Sequence, residues 1–243
     1  MDHSTSHVLL IDSNDRSTIS NSVEDAVYHL SEHYLHETKS VQFKSMSFSN
    51  TAYNVTSANN TLAYEALGVP ATATVPVGQY TISSFITAFN TALGGVIVIA
   101  DNATTKKFSF TSPANTQIKL VGTTMKTVLG ITQDTVVGVA YNANVIYSMI
   151  RTYMVHVASN ALARADNLIK SDKKKYAIIA SVPLDVGWGY VKFHEESLDT
   201  SDFSLFSGLR NLSSIDIRLL GDDMQEFNLN GSGYVLEFVV RAE

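Results

Sequence analysis

Val75-Pro76-Val77-Gly78-Gln79-Tyr80-Thr81 runs straight into Ile82-Ser83-Ser84-Phe85-Ile86-Thr87-Ala88-Phe89-Asn90, and the join between these stretches decides how the chain reads. The first is extended and stops at a Gly turn. The second is a short amphipathic helix: Phe85, Ile86, Phe89 and Leu93 recur at spacings of three and four and share one face. Thr81 or Ser83 supplies the N-cap oxygen, and Gly94-Gly95 ends the helix. Strand-like runs at 96–100 and 108–111 follow, separated by the turn-forming Asp101-Asn102-Ala103-Thr104. Almost everything else reads as strand, so a compact strand–helix–hairpin unit sits inside an all-β chain.

The bulk composition fits that reading. A chain of 243 residues, 45% hydrophobic and 16% charged, buries a sizeable core as one large β-domain or two small ones. Low charge with abundant Ser, Thr and Asn suits a surface covered by neighbours, and equally suits an ordinary β-protein. The formal charge of -6 argues against a general nucleic-acid binder. Lys173-Lys174-Lys175 is the lone basic cluster and reads as a solvated turn. The absence of cysteine excludes disulfides, thiolate zinc sites and a cysteine nucleophile. Sequons begin at Asn54, Asn59, Asn102, Asn211 and Asn230, as chance provides in such a composition. The polar start, Met1-Asp2-His3-Ser4, and the lack of a membrane-length apolar run lead us to expect a soluble intracellular product with no membrane span.

Along the chain we expect a flexible N-terminal arm over 1–20, a jelly-roll domain over 21–74 and 131–243, and an inserted strand–helix–hairpin unit over 75–130. Residues 23–38 fit a helix face through Val23, Ala26, Val27, Leu30 and Tyr34, and Ala26 to Leu30 fit an edge strand equally, which leaves 23–38 open between helix and strand. From Ser40 alternation is clear: Val41, Phe43, Ser45 and Ser47 point one way, Gln42, Lys44, Met46 and Phe48 the other. Further strands are expected at 61–67, 135–141, 145–157, 175–182, 189–193, 214–220 and 234–240. Pro70, Pro76, Pro113 and Pro183 lie near expected strand ends. This rhythm of strands and turns predicts a mainly β, antiparallel sandwich or single jelly roll with a small α+β insertion.

The search for chemistry assigns no catalytic, cofactor-binding or metal-binding residue. His29, His33 and His36 would share a helix face and form a zinc set there, whereas a strand separates them. Asp12-Ser13-Asn14-Asp15-Arg16 begins like a calcium loop, then places Arg16 at a ligand position and lacks the glycine at the sixth. Glu195/Glu196 and Asp222/Asp223 are sequence neighbours that a strand sends to opposite faces, so neither is a glycosidase pair. Trp188, between Gly187 and Gly189, reads as a buried indole at a strand start, with a sugar-stacking platform as the alternative.

Several local sequences, in order, resemble the minor capsid (penton-type) proteins of the polinton, virophage and giant-virus lineage. They are Ile11-Asp12-Ser13-Asn14-Asp15-Arg16; Val41-Gln42-Phe43 through Phe48-Ser49-Asn50-Thr51-Ala52-Tyr53-Asn54-Val55, followed by Asn59-Asn60; and Val75-Pro76-Val77-Gly78-Gln79-Tyr80-Thr81 with its helix. Phe108-Ser109-Phe110-Thr111, Val128-Leu129-Gly130-Ile131, Ala177-Ile178-Ile179-Ala180-Ser181-Val182-Pro183 and Gly189-Tyr190-Val191 continue the likeness. Ile215-Asp216-Ile217-Arg218-Leu219-Leu220 and Phe227-Asn228-Leu229-Asn230-Gly231 close it. The sequence departs from the family at 26–36, where the family continues as strand and this chain also permits a helix.

The resemblance implies a single jelly roll of two four-stranded sheets carrying the insertion, and a structural, non-enzymatic role as a penton. Five copies of the chain would plug each icosahedral vertex, surrounded by trimeric double-jelly-roll major capsid protein and other minor capsid or vertex proteins. It places the protein in the virion, assembled in the cytoplasm or nucleus of a host cell. A jelly-roll attachment or glycan-binding protein using Trp188 is the alternative, and an enzyme on a β-sandwich ranks below both.

Overall fold

The computed structural model describes residues 5–30, 37–66, 69–112, 118–120, 124–132, 135–137, 140–149, 152–162, 168–171, 174–196 and 204–242. The chain divides into two compact units, Met1–Ala52 with Thr152–Glu243, and Tyr53–Arg151. In chain order the first unit opens with β1 (Thr5–Asp12), a 3-10 turn (Ser13–Asp15), β2 (Asp25–His29) and β3 (Thr38–Ser49). The second holds β4 (Thr61–Ala66), β5 (Val69–Thr74), α1 (Ile82–Leu93), β6 (Val98–Asn102) and β7 (Lys107–Thr111). It continues with β8 (Ile118–Leu120), α2 (Lys126–Leu129), β9 (Thr135–Val137) and β10 (Ala140–Asn142). The chain returns to the first unit with β11 (Met154–Ala158), β12 (Leu168–Ser171), β13 (Lys174–Pro183) and β14 (Val191–Glu195). It ends with β15 (Ser204–Arg210), β16 (Ser214–Leu220) and β17 (Tyr234–Ala242).

The first unit is an antiparallel sandwich. One sheet runs β1-β17-β3-β14, with β15 also pairing β3; the other runs β12-β13-β11-β16-β2. Following the chain, β1 lies in the first sheet, β2 in the second, β3 in the first, β11 and β13 in the second. Then β14 lies in the first, β16 in the second and β17 in the first. This alternation between two sheets is the jelly roll. The second unit is an excursion between β3 and β11.

Strict alternation builds the shared core. β16 buries Ile215, Ile217 and Leu219, and β17 buries Tyr234, Leu236, Phe238 and Val240, all in one apolar cluster. Each such side chain contributes about 1.5–3 kcal/mol on leaving water. β3 departs from the expected alternation. Val41 and Phe43 enter the core, and so do Met46 and Phe48, which have the opposite parity. The register explains it: Phe238 pairs with Phe43 and Glu237 with Ser45, leaving Lys44 as an extra residue. A bulge there switches faces mid-strand, which puts Lys44 in reach of Glu237 at 2.7 Å.

Three expectations are corrected and one open alternative is resolved. The arm over 1–20 is not a flexible arm in its described part: β1 pairs with β17 from Thr5↔Ala242 to Asp12↔Val235, because Ile11 has a core to enter. In the ambiguous 23–38 stretch, 25–29 is strand, since β16 offers its edge from Ser214↔His29 to Arg218↔Asp25; residues 31–36 lie outside the described set. The expected long strand at 145–157 is strand only from Met154. Before it the chain is held by hydrogen bonds from Val145 N–H to Gly130 O and Tyr147 N–H to Lys106 O, while the Tyr147 ring stacks on Phe108 at 4.6 Å. The inserted unit is wider than 75–130, because residues on both flanks share its core. Val55 bridges Gly78, and Val55, Leu62, Ala73 and Ala143 are buried with the helix.

Within that second unit, sheets β5-β4-β8-β9 and β10-β7-β6 accompany α1. Thr81 is the cap: its Oγ1 accepts from Ser84 N–H, and Ser84 Oγ accepts from Thr81 N–H in return. Gly94, left-handed at φ 59°, closes the helix. Phe85, Phe89 and Leu93 are buried, and Phe85 stacks on Phe89 at 5.6 Å and on Phe108 at 5.9 Å.

Candidate functional site

The sequence candidates turn out to serve the backbone. Asp12 Oδ1 accepts from Asn14 N–H at 2.8 Å, and Arg16 Nη1 donates to Ser13 O at 3.0 Å, so the calcium-like loop is a closed turn. Buried Ser13 accepts from Tyr234 N–H at 2.9 Å. Asp222 receives Tyr153 N–H at 2.5 Å and Met154 N–H at 3.2 Å, anchoring the start of β11; Asp223 Oδ1 receives Gln225 N–H at 3.0 Å. His29 ends β2, and His33 and His36 lie outside the described residues. Glu195 opposes Ser45 on β3, while Glu196 lies 3.8 Å from His194 Nε2. Among the described residues no group of three or more His, Asp or Glu is placed to hold a metal ion, and no helix is long and apolar enough to cross a membrane. Lys174 and Lys175 lie in β13, with Lys175 opposite Lys170 of β12; Lys173 lies outside the described residues.

Trp188 is the exception, and the buried-indole reading is corrected: the residue is 48% exposed. It rides on a turn clamped by Asn50. Asn50 N–H donates to Tyr190 O at 2.9 Å, Gly189 N–H donates to Asn50 O at 2.7 Å, and Asn50 Nδ2 donates to Val186 O at 2.8 Å. Gly189, at φ 83°, supplies the left-handed step that lets the chain turn into β14. Three bonds from one residue hold the indole out on a rigid base.

The strand that follows is inverted. Val191 and Phe193 are 62% and 61% exposed, and Tyr190 just before them is 70% exposed. Between them Lys192 is 7% exposed, opposite Phe48, and His194 stacks on Phe43 at 6.3 Å. The cause is register. Met46 and Phe48 face the core beyond the bulge, so their partners His194 and Lys192 must face it too. The Lys192 stem packs inward while its ammonium escapes to Asp185 Oδ1 at 2.6 Å, and this bond lowers the Asp185 pKa. A shallow cavity of about 190 Å³ beside this strand is lined by Asp12, Ser47, Ser49, Val191 and Tyr234, among others. In the sandwich core, the Tyr28 and Tyr234 hydroxyls meet at 2.8 Å, and burial raises both pKa values. Sequence reasoning missed this surface because alternation in 190–194 is symmetric: it shows two faces without saying which is inside.

No protein-family model matches the chain, and the search of curated proteins finds no match. Among solved structures, the crystal structure of the mavirus penton protein resembles it over 99% of both chains, with a TM-score of 0.51 at 11% sequence identity. At that identity the likeness is one of fold.

Proposed function

We propose that this chain is a structural capsid subunit, a penton protein that assembles as a homopentamer at icosahedral five-fold vertices. The observation that carries the reading is a fold likeness to a penton protein spanning 99% of both chains, jelly roll and excursion together. The residues themselves support it. Candidate acids bind backbone amides, and four exposed apolar side chains, Trp188, Tyr190, Val191 and Phe193, lie together on one strand and its turn, as an interaction surface requires. The partners are four further copies, the double-jelly-roll major capsid protein and other vertex proteins, and the location is the virion. A ring of five needs a heterologous contact, in which one patch meets a different patch on the next copy.

Native mass measurement of the purified chain, alone and mixed with the major capsid protein, tests the reading. A pentamer, with density for the chain at the five-fold axis of particles, is the expected result. A chain that stays monomeric in both conditions and is missing from vertices overturns it. The half-exposed Trp188 on its clamped turn favours one second reading, a virion protein that stacks glycans on this indole. Trp188→Ala should then abolish binding on a glycan array; an array with no binding by the parent chain removes that reading.

A further inference from the structure

We propose that the outward flank of β14 in one copy pairs with the β1 edge of the next copy of this same chain. The inference rests on the capsid-subunit reading and names its contact. β14 carries Val191 and Phe193 outward and Lys192 inward, the reverse of a strand that faces water. No strand pairs with its far edge among the described residues. At the opposite edge of the same sheet, β1 is equally open among the described residues. It is eight residues long, in unbroken register with β17, and contains no Lys, Pro or bulge to blunt it. Its Val8 and Leu10 are 62% and 65% exposed. The rows Asp12–Val235–Ser47–Phe193 and Leu10–Glu237–Ser45–Glu195 cross the whole sheet, so these apolar residues lie on the face that carries Val191 and Phe193.

Strand direction selects the occupant. β1, β17, β3 and β14 alternate in direction, so a second copy set beside the first in the same orientation brings its β1 antiparallel to β14. One register then opposes Val8 with Phe193 and Leu10 with Val191, which are apolar cross-strand pairs. It also carries the Trp188 turn to the neighbour's Ser13–Asp15 turn. Little charge must be stripped of water, because Lys192 is matched to Asp185 and Lys44 to Glu237 within each copy. Trp188, Tyr190 and Phe193 at their observed exposures offer roughly 300 Å² of contact. With Val191 that is close to half of the roughly 800 Å² each partner gives to a standard interface.

The chain contains no cysteine, which makes the test clean. V8C/F193C should form disulfide-linked ladders up to the pentamer on a non-reducing gel, collapsing with reductant. Within one copy the two strands are three strand spacings apart, about 14 Å, beyond the roughly 7 Å reach of a disulfide. L10C/V191C reads the same register independently. The absence of ladders in both double variants, while native mass shows an intact oligomer, overturns the contact and leaves the capsid reading standing. F193C alone cross-linking to a dimer places β14 against β14 and overturns it, as does a cross-link formed only with another capsid protein. A parent chain that is monomeric throughout overturns the capsid reading and the contact together.

Discussion

Gly130 closes α2 at φ 70°, and a Cβ there would sit 2.3 Å from Val145 O and 3.1 Å from Ile146 O. That backbone cannot step aside cheaply, because Val145 N–H is itself bonded to Gly130 O at 3.1 Å. Gly130→Ala therefore carries two costs. The left-handed conformation costs an L-residue about 1–2 kcal/mol, and forcing atoms into a packed site adds about 1–3 kcal/mol. Gly94, at φ 59° with nothing within 4 Å of its virtual Cβ, is the internal control: Gly94→Ala carries only the first cost. Urea unfolding followed by far-UV circular dichroism measures both. With a slope of about 1–3 kcal/mol per molar urea, Gly130→Ala should shift the midpoint about 1.5 to 4 times as far as Gly94→Ala. Equal shifts would refute the claim that the Val145 carbonyl, rather than backbone handedness, makes this position intolerant.

Phe89→Ala removes a fully buried ring from the stack with Phe85 and should destabilise the protein by about 3–5 kcal/mol, read in the same titration. Tyr28 and Tyr234 hold their protons to higher pH folded than unfolded, so their stabilisation is complete below about pH 10 and lost as pH rises beyond it. Tyr234→Phe should flatten the alkaline limb of a stability–pH curve; an unchanged limb would show that the pair is not its source. Glu237, whose pKa is lowered chiefly by Lys44, contributes above the ordinary glutamate range and loses that contribution as pH falls through its folded value. Lys44→Met should shrink the acid limb below about pH 4.5, in low salt more than in high.

The helix was legible because everything that makes it is local: Thr81, the three-and-four spacing and Gly94 all lie within its own length. β16 was legible to the residue, since Ser214–Leu220 alternates without interruption. What escaped depends on partners far along the chain. The bulge at Lys44 exists only against Glu237 and Phe238. The inversion of β14 follows from that bulge at second hand, through Met46 and Phe48. The limits of the second unit escaped for a like reason, since Val55 and Ala143 enter its core from outside the segment with the recognisable pattern. The exposed Trp188 surface, the strongest candidate site, was therefore hidden by the geometry that produces it.

The pairing of β1 with β17 joins strands more than 220 residues apart, from Asp12↔Val235 to Thr5↔Ala242, and β17 also lies between β1 and β3. During synthesis both of those strands must wait, edges open, until β17 has left the ribosome. Residues 152–243 need roughly 5–20 s to emerge at ordinary elongation rates. Tyr53–Arg151 has no such debt, because its core is complete once Arg151 is made. The excursion is thus able to fold before the sandwich, which closes only once β17 has emerged between β1 and β3.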